Sequence, residues 1–425
     1  MSLAPDSLWF RAIFAAALAS ATSLRLWLAL RQLRHVRGHR ESVPPAFAKV
    51  IDAQAHRKAA DYTVARQRLG MGHTLYGAAV LLAWTLGGGL RWLAGVNASL
   101  LGDGLGAQLA LLGEFALLAS LLDLPWEIAQ TFGLELRFGF NRSTPALFAA
   151  DQIKGLLLGA VLMAPLALLL LWLMRASALW WLWGWLAFAA FSLVMMVVFP
   201  TWIAPLFNRF EPLPEGEVKQ RAQQLMQRCG FALQGLYVMD GSRRSAHANA
   251  YFTGLGRARR VVLFDTLLRQ LAPQQIEAVL AHEVGHYKRH HIQQRLLLSL
   301  GLSLLGFALL GWLAGRDWFY AGLGFDHAGQ ARQAAALVLF SLILPLAGVF
   351  VGPFSAGWSR RHEFEADAYA ASHSDAGALA DALLRMYRDN ASTLTPDPWF
   401  VRFYYSHPPA LQRLARLRPA GGAVT

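Results

Sequence analysis

Within the 425-residue chain, His282-Glu283-Val284-Gly285-His286 is the cluster best suited to chemistry. Residues four apart share one helical face, so both imidazoles can hold a single metal ion, zinc being the ion that suits this pattern. The carboxylate between them can reach an activated water. Zinc lowers the pKa of that water, and the carboxylate accepts its proton as it attacks a carbonyl carbon. With 13 His and 11 Glu in the chain, chance produces the pattern with a probability of about 0.01. An ordinary polar helix face is the plain alternative.

A hydrolytic zinc site needs a third protein ligand and an open fourth position. The chain offers Arg360-Arg361-His362-Glu363-Phe364-Glu365-Ala366-Asp367. Glu363 and Asp367, four apart, suit a ligand plus a carboxylate that orients a metal-bound histidine. These acids could instead pair with Arg360 and Arg361. Spacing alone does not rank Glu363 above Glu365.

The elements that must position these groups are membrane helices. The chain is 55% apolar and 15% charged, too little charge to cover soluble domains of this length. Apolar content excludes a disordered chain, and the lone Cys229, expected to be a small buried residue, excludes a disulfide framework. A spanning helix needs about 20 apolar residues. Gly155–Met174, Ala176–Phe207, Leu296–Gly315 and Gln333–Ser359 meet this requirement, and Leu8–Leu30, Thr74–Val96 and Leu105–Pro125 join them, giving about seven spans. Glu114 and Asp123 inside the third span must face the interior, either lining a polar cavity or, as the plainer reading, pairing with Arg11, Arg25 or Arg91. His282 and His286 precede the penultimate span by about 10 residues, roughly 15 Å if the helix is continuous. Glu363 follows the last span closely, so both sets sit at one membrane boundary and can meet. His290 and His291 are expected at the lipid headgroup surface.

Basic loops alternate with loops lacking Lys and Arg, as the positive-inside rule requires. The N-terminus is therefore expected outside, and the 208–295 loop and the Arg-rich tail in the cytoplasm. The net charge of +13 reports topology and attraction to anionic lipid, with no nucleic-acid partner implied. No cleavable signal is expected, since the first apolar stretch lacks a basic leader. The long loop reads as a folded insert: helical spacing over Glu217–Cys229, short strands at Leu236–Met239 and Arg260–Phe264 around a polar, Gly-containing turn region, and a helix from Pro273.

The sequence resembles the integral-membrane CAAX prenyl endopeptidases, the Ste-type zinc metalloproteases of the gluzincin group in peptidase family M48. The resemblance runs from about Phe138 to Arg413. It rests on Phe138-Gly139-Phe140-Asn141, Phe199-Pro200-Thr201, Pro212-Leu213-Pro214, Asn249-Ala250-Tyr251-Phe252, the His282–His286 helix, Glu363-Phe364 with Ala366-Asp367, and Ser406-His407-Pro408-Pro409. It implies a mainly α, multi-pass membrane fold with a large chamber and a cytoplasmic zinc-protease insert containing a small β-sheet. One zinc per chain is implied, on His282, His286 and Glu363, with Glu283 as base. The resemblance gives Asn249, Ala250 and Phe252 to an edge strand that holds extended substrate. It makes His407 an oxyanion stabiliser and Asp367 an orienter of a ligand histidine or a proton donor. Arg413 would lie near the same cluster. Each has a plainer alternative: a turn residue, a capping or core histidine, a surface charge.

The organisation expected is five spans in 1–207, the protease insert in 208–295, two spans in 296–359, and a C-terminal segment, 360–425, that completes the zinc site. The function expected is a membrane zinc endopeptidase whose partners are the lipid bilayer and a peptide or protein substrate, prenylated or membrane-associated. The Arg-, Ala-, Leu- and Gly-rich composition suits a GC-rich bacterial genome, hence an inner-membrane protein. Bacteria generally lack prenylation, so a quality-control protease acting on misfolded membrane substrates is the alternative. A metal-binding transporter is the reading from another class, disfavoured because a structural zinc site is closed by four protein ligands and the chain offers three.

Overall fold

The computed structural model describes residues 4–231, 235–253, 260–325 and 331–418. Its first half is α1 (Pro5–Gly38), α2 (Ala53–Trp84), α3 (Gly89–Leu101), α4 (Leu105–Ile128), α5 (Pro145–Ala176), α6 (Trp180–Val198) and the short α7 (Ala204–Phe207). The chemistry of α5 is typical of the set. Thr144 accepts the Leu147 N–H and Pro145 sits at the first turn, so the start is capped. Its most apolar window has a mean hydropathy of 2.6, yet only 6% of that window is buried by protein. Leu157, Val161 and Trp172 lie exposed along it, a surface that needs lipid.

Among the described residues six helices are long and apolar enough to span, and a bent pair makes seven when it is counted as one span. The stretch expected to cross at Thr74–Val96 is that pair, since α2 ends at Trp84 and the axis turns by 48° into α3. Gly87-Gly88-Gly89 causes the break, with Gly88 at φ +76°, because glycine resists the helix and tolerates the left-handed region. The α4 helix runs on into a π-helical stretch, Ala129–Glu135. Glu114 accepts the Asn97 amide at 3.1 Å and Asp123 pairs with His73 at 2.7 Å, partners that hydropathy did not suggest. Arg11 donates to the carbonyls of Ala321 and Gly322.

The polar insert holds β1 (Phe210–Pro212), α8 (Glu217–Arg228), β2 (Gly235–Met239), β3 (Ala250–Thr253), β4 (Arg260–Phe264), α9 (Asp265–Gln270) and α10 (Pro273–Lys288). Its sheet has the order β1-β2-β4-β3, with β2 and β4 parallel and the outer pairs antiparallel. Ala250 thus pairs with Leu263 and Phe252 with Val261, and β3 is an edge. Part of the expected turn region, 254–259, lies outside the described residues. Leu225, Val261, Leu263, Ile276, Leu280 and Val284 form the dry core of the insert, with Cys229 buried in it.

The chain then returns through α11 (His291–Ala314), α12 (Asp317–Gly322), α13 (Arg332–His373), α14 (Ala376–Asp389), α15 (Pro398–Tyr404) and α16 (Ala410–Leu417). The apolar stretch Gln333–Ser359 has no end of its own. It continues as one 42-residue helix through Glu363 and Asp367. Leu379, Leu383 and Leu384 of α14 pack with Ile276 and Leu280 of α10, which fixes the tail to the insert.

Candidate metal centre and active site

The site forms where α10 crosses α13. Gly285 and Ala366 allow the crossing: a Cβ on Gly285 would meet the Ala366 Cα at 3.0 Å. With no side chain there, His282 and His286 reach Glu363. The two Nε2 atoms lie 3.2 Å apart, and Glu363 lies 3.4 Å from His282 and 3.3 Å from His286. All three residues are expected ligands, and their ligand atoms fall within 4.8 Å of one another.

The donor set fits a metal ion. Glu363 is 2% exposed, and its Oε2 is a buried atom without a hydrogen-bond partner. Buried carboxylate oxygens are costly when unpaired, so such an atom calls for a cation. Each imidazole has its outer nitrogen committed elsewhere, leaving Nε2 of both facing the carboxylate. His282 donates through Nδ1 to Asp367 at 2.8 Å, the arrangement that fixes a ligand histidine's tautomer. Asp367 in turn accepts from Arg413 at 2.8 and 2.5 Å. Arg413 itself is buried, 5% exposed, and its Nη1 lies 3.8 Å from Glu363. Burial works against its charge, but the bond to Asp367 and the nearby carboxylates hold the guanidinium above its ordinary pKa.

His286 has a support that sequence reasoning missed. His291 is 1% exposed and lies with its Nδ1 3.0 Å from that of His286, and with its Nε2 3.0 Å from Glu365. It also stacks on His362, centroids 3.9 Å apart. The expectation of His291 at the headgroup surface is therefore wrong, while His290 is exposed. The reason is local. The helix does not continue past Lys288; His290 takes φ +59° and α11 starts at His291. The break folds His291 back toward His286. A non-Gly residue in this region is uncommon, and two adjacent histidines after a metal-binding pattern were the only signal. Glu365, left level with Glu363 by spacing, bonds His291 and Arg361.

Glu283 is half-buried on the same helix. Burial pushes its carboxyl above the ordinary value, against the pull of both ligand histidines, which suits a proton acceptor near neutral pH. His407 is held at Nδ1 by Ser406 at 3.0 Å, and its Nε2 reaches 3.5 Å from Glu363. Its side chain is 63% accessible, because it lines a cavity of about 750 Å³ beside the cluster. Asn249 lines the same cavity. It precedes β3, where its Oδ1 takes the Ala250 N–H and its carbonyl the Phe264 N–H. Phe252 turns toward the insert core, edge-on to Phe231. Asn249 and His407 thus share the cavity beside the cluster, whereas Ala250 and Phe252 do not line it.

Comparison with known proteins bears on this arrangement. A family model described as the CAAX prenyl protease N-terminal region, five membrane helices, matches residues 32–209, and that of peptidase family M48 matches 212–420. The chain is 30% identical to the human CAAX prenyl protease 1 homolog, over 97% of this chain and 98% of that one. It is 32% identical to CAAX prenyl protease 1 of Saccharomyces cerevisiae, over 88% of both. The crystal structure of S. mikatae Ste24p superposes with a TM-score of 0.90 at 29% identity, covering 98% of this chain and 100% of that one.

Proposed function

We propose, from the premise that the chain belongs to peptidase family M48 and is an integral-membrane metalloendopeptidase of the CAAX prenyl protease type, a specific division of labour among its residues. His282, His286 and Glu363 hold one zinc ion, which when bound supplies a Lewis acid and lowers the pKa of water. Glu283 takes the proton of the attacking water and returns it to the leaving amine. His407 donates from Nε2 to the developing oxyanion. Asn249 holds the peptide backbone while Ala250 and Phe252, on the open edge of β3, present a strand that an extended substrate can join. Asp367, backed by Arg413, keeps His282 oriented.

The observation that carries the reading is the buried Glu363 carboxylate, its Oε2 without a hydrogen bond, facing the two imidazoles of His282 and His286. The substrate class is peptides with a prenylated cysteine near the C-terminus, by analogy with the names of the human and yeast relatives. The distribution of Arg and Lys supports a cytoplasmic site, and composition supports a bacterial inner membrane. On that composition, unprenylated membrane substrates are the second reading. We divide the chain into a five-span region to 207, the 208–295 insert, two spans to 359 and a C-terminal segment that completes the site.

The test is a cleavage assay on a farnesylated peptide, its unprenylated twin and an unfolded membrane protein, alongside zinc analysis. Glu283→Gln should retain one zinc and lose turnover by about 100-fold or more. Wild-type rates in that variant would sink the mechanism, and equal cleavage of the twin peptides would remove prenylation from the substrate definition.

A further inference from the structure

A basic groove lies behind α13, away from the catalytic cavity. Arg361 and Glu363 are two residues apart, about 200° around a helix, so Arg361 points away from the ligand carboxylate. Beside it opens a groove of about 620 Å³, lined by Arg289 at the end of α10, Arg360 and Arg361 of α13 and Arg416 of α16. Glu365 is the one carboxylate in this lining, and it is engaged twice. Its Oε1 accepts from Arg361 at 3.0 Å and its Oε2 meets His291 at 3.0 Å. Arg360 donates to the carbonyls of Val401 and Tyr405 at 2.9 and 2.7 Å, neutral acceptors that leave its charge in place. Arg416 lies over Phe364, 3.5 Å from the ring centroid. Arg289, Arg361 and Arg416 are all exposed. Four guanidiniums therefore share the groove with one carboxylate, a composition that selects an anion.

The position of the groove says which kind of anion. Arg360 is the first charged residue after the uncharged run Gln333–Ser359, so the groove sits where α13 leaves the hydrocarbon. Phe350, Phe354, Gly357 and Arg361 follow one another at three- and four-residue spacing and form a single stripe along this helix. Phe350 and Phe354 are exposed. Gly357 lines the groove and, having no side chain, leaves the way open between the rings and the guanidiniums. A soluble anion has no use for the rings. A phospholipid matches both halves, its acyl chain on the apolar stripe and its phosphate among the arginines, whose planar forks suit phosphate oxygens.

We infer that this groove is a binding site for an anionic phospholipid, with Arg289, Arg361 and Arg416 around the headgroup phosphate and Phe354 and Phe350 along the acyl chain. The site selects on net charge. Phosphatidylcholine carries an ammonium that balances its own phosphate, and so gains less from the groove than phosphatidylglycerol does. The inference needs only the membrane placement of α13 and is independent of the endopeptidase reading.

The experiment titrates the full-length protein in detergent with dioleoylphosphatidylglycerol and with dioleoylphosphatidylcholine, and counts bound lipid by native mass spectrometry. Wild type should hold one phosphatidylglycerol with an affinity roughly tenfold or more above that for phosphatidylcholine. Arg289→Gln/Arg416→Gln, which leaves the Arg361–Glu365 pair intact, should bring the two affinities to within about twofold of each other. Arg34→Gln/Arg37→Gln removes the same charge from exposed positions near the end of α1 and should keep the preference. Each ratio is taken within one preparation, so loss of folded protein cancels. Equal affinities in wild type, an unchanged ratio in Arg289→Gln/Arg416→Gln, or the same loss in Arg34→Gln/Arg37→Gln overturns the inference. An excess of inorganic phosphate, compared with chloride at equal ionic strength, separates the two sources of phosphate. Phosphatidylglycerol should stay bound; its displacement by phosphate alone overturns the lipid assignment in favour of a soluble anion.

Discussion

Gly285 on α10 and Ala366 on α13 meet backbone to backbone: a methyl group on Gly285 would sit 3.0 Å from the Ala366 Cα and 3.1 Å from its carbonyl oxygen. Both positions lie inside the sequence patterns that carry the ligands, and their smallness lets ligands from two distant segments converge.

Gly285→Ala should therefore act on the metal site through geometry. The added carbon meets backbone, which cannot rotate away, so α10 must shift, at a cost of about 1–3 kcal/mol. A thermal melt should fall by several degrees and zinc content should drop below one per chain. A variant with full zinc and an unchanged melting temperature would show that the crossing has slack.

His291→Phe keeps an aromatic ring stacked on His362 but removes both nitrogens that connect His286 to Glu365. Loss of such support for a ligand histidine typically weakens metal affinity by about 10–100-fold. Zinc competition with a fluorescent chelator reads this directly. Affinity equal to wild type would reduce His291 to a packing residue.

Arg413→Met leaves Asp367 and Glu363 buried without their guanidinium neighbour. Breaking a buried ion pair from one side costs about 3–5 kcal/mol. The apo protein should suffer more than the zinc-loaded one, because bound zinc still compensates Glu363. Melting curves with and without chelator should separate accordingly; parallel loss in both states would argue against charge as the cause.

Chelation of wild type should lower its melting temperature, and the loss should be restored by added zinc in proportion to RT ln(1 + [Zn]/Kd). His282→Ala should remove that zinc dependence. Persistence of the full zinc response in this variant would count against the ligand assignment.

Much of this arrangement is legible in the sequence. The ligand pair has its own spacing, the apolar runs declared the spans, and the family patterns singled out Glu363 over Glu365. What stayed hidden depended on chain direction rather than composition. Hydropathy treats Thr74–Val96 as one crossing, blind to the bend that Gly87-Gly88-Gly89 imposes. Helical spacing carried His291 away from His286, since nothing in the residue types signals that His290 adopts a left-handed conformation. Arg413 was expected near the cluster, but its double bond to Asp367 is a matter of the tail folding over α10, which periodicity cannot state.

The continuity of α13 has a mechanical consequence. At about 1.5 Å per residue, this 42-residue helix is a lever of roughly 63 Å with one end embedded among the other spans and Glu363 near the other. His282 and His286 ride instead on α10, which is joined to its own span through the kink at His290. One arm of the coordinating claw is thus bolted to the bilayer and the other is articulated. A tilt of α13 is delivered straight to Glu363, and reaches the two histidines through the Gly285–Ala366 contact and the Asp367–His282 bond while the joint at His290 takes up the strain.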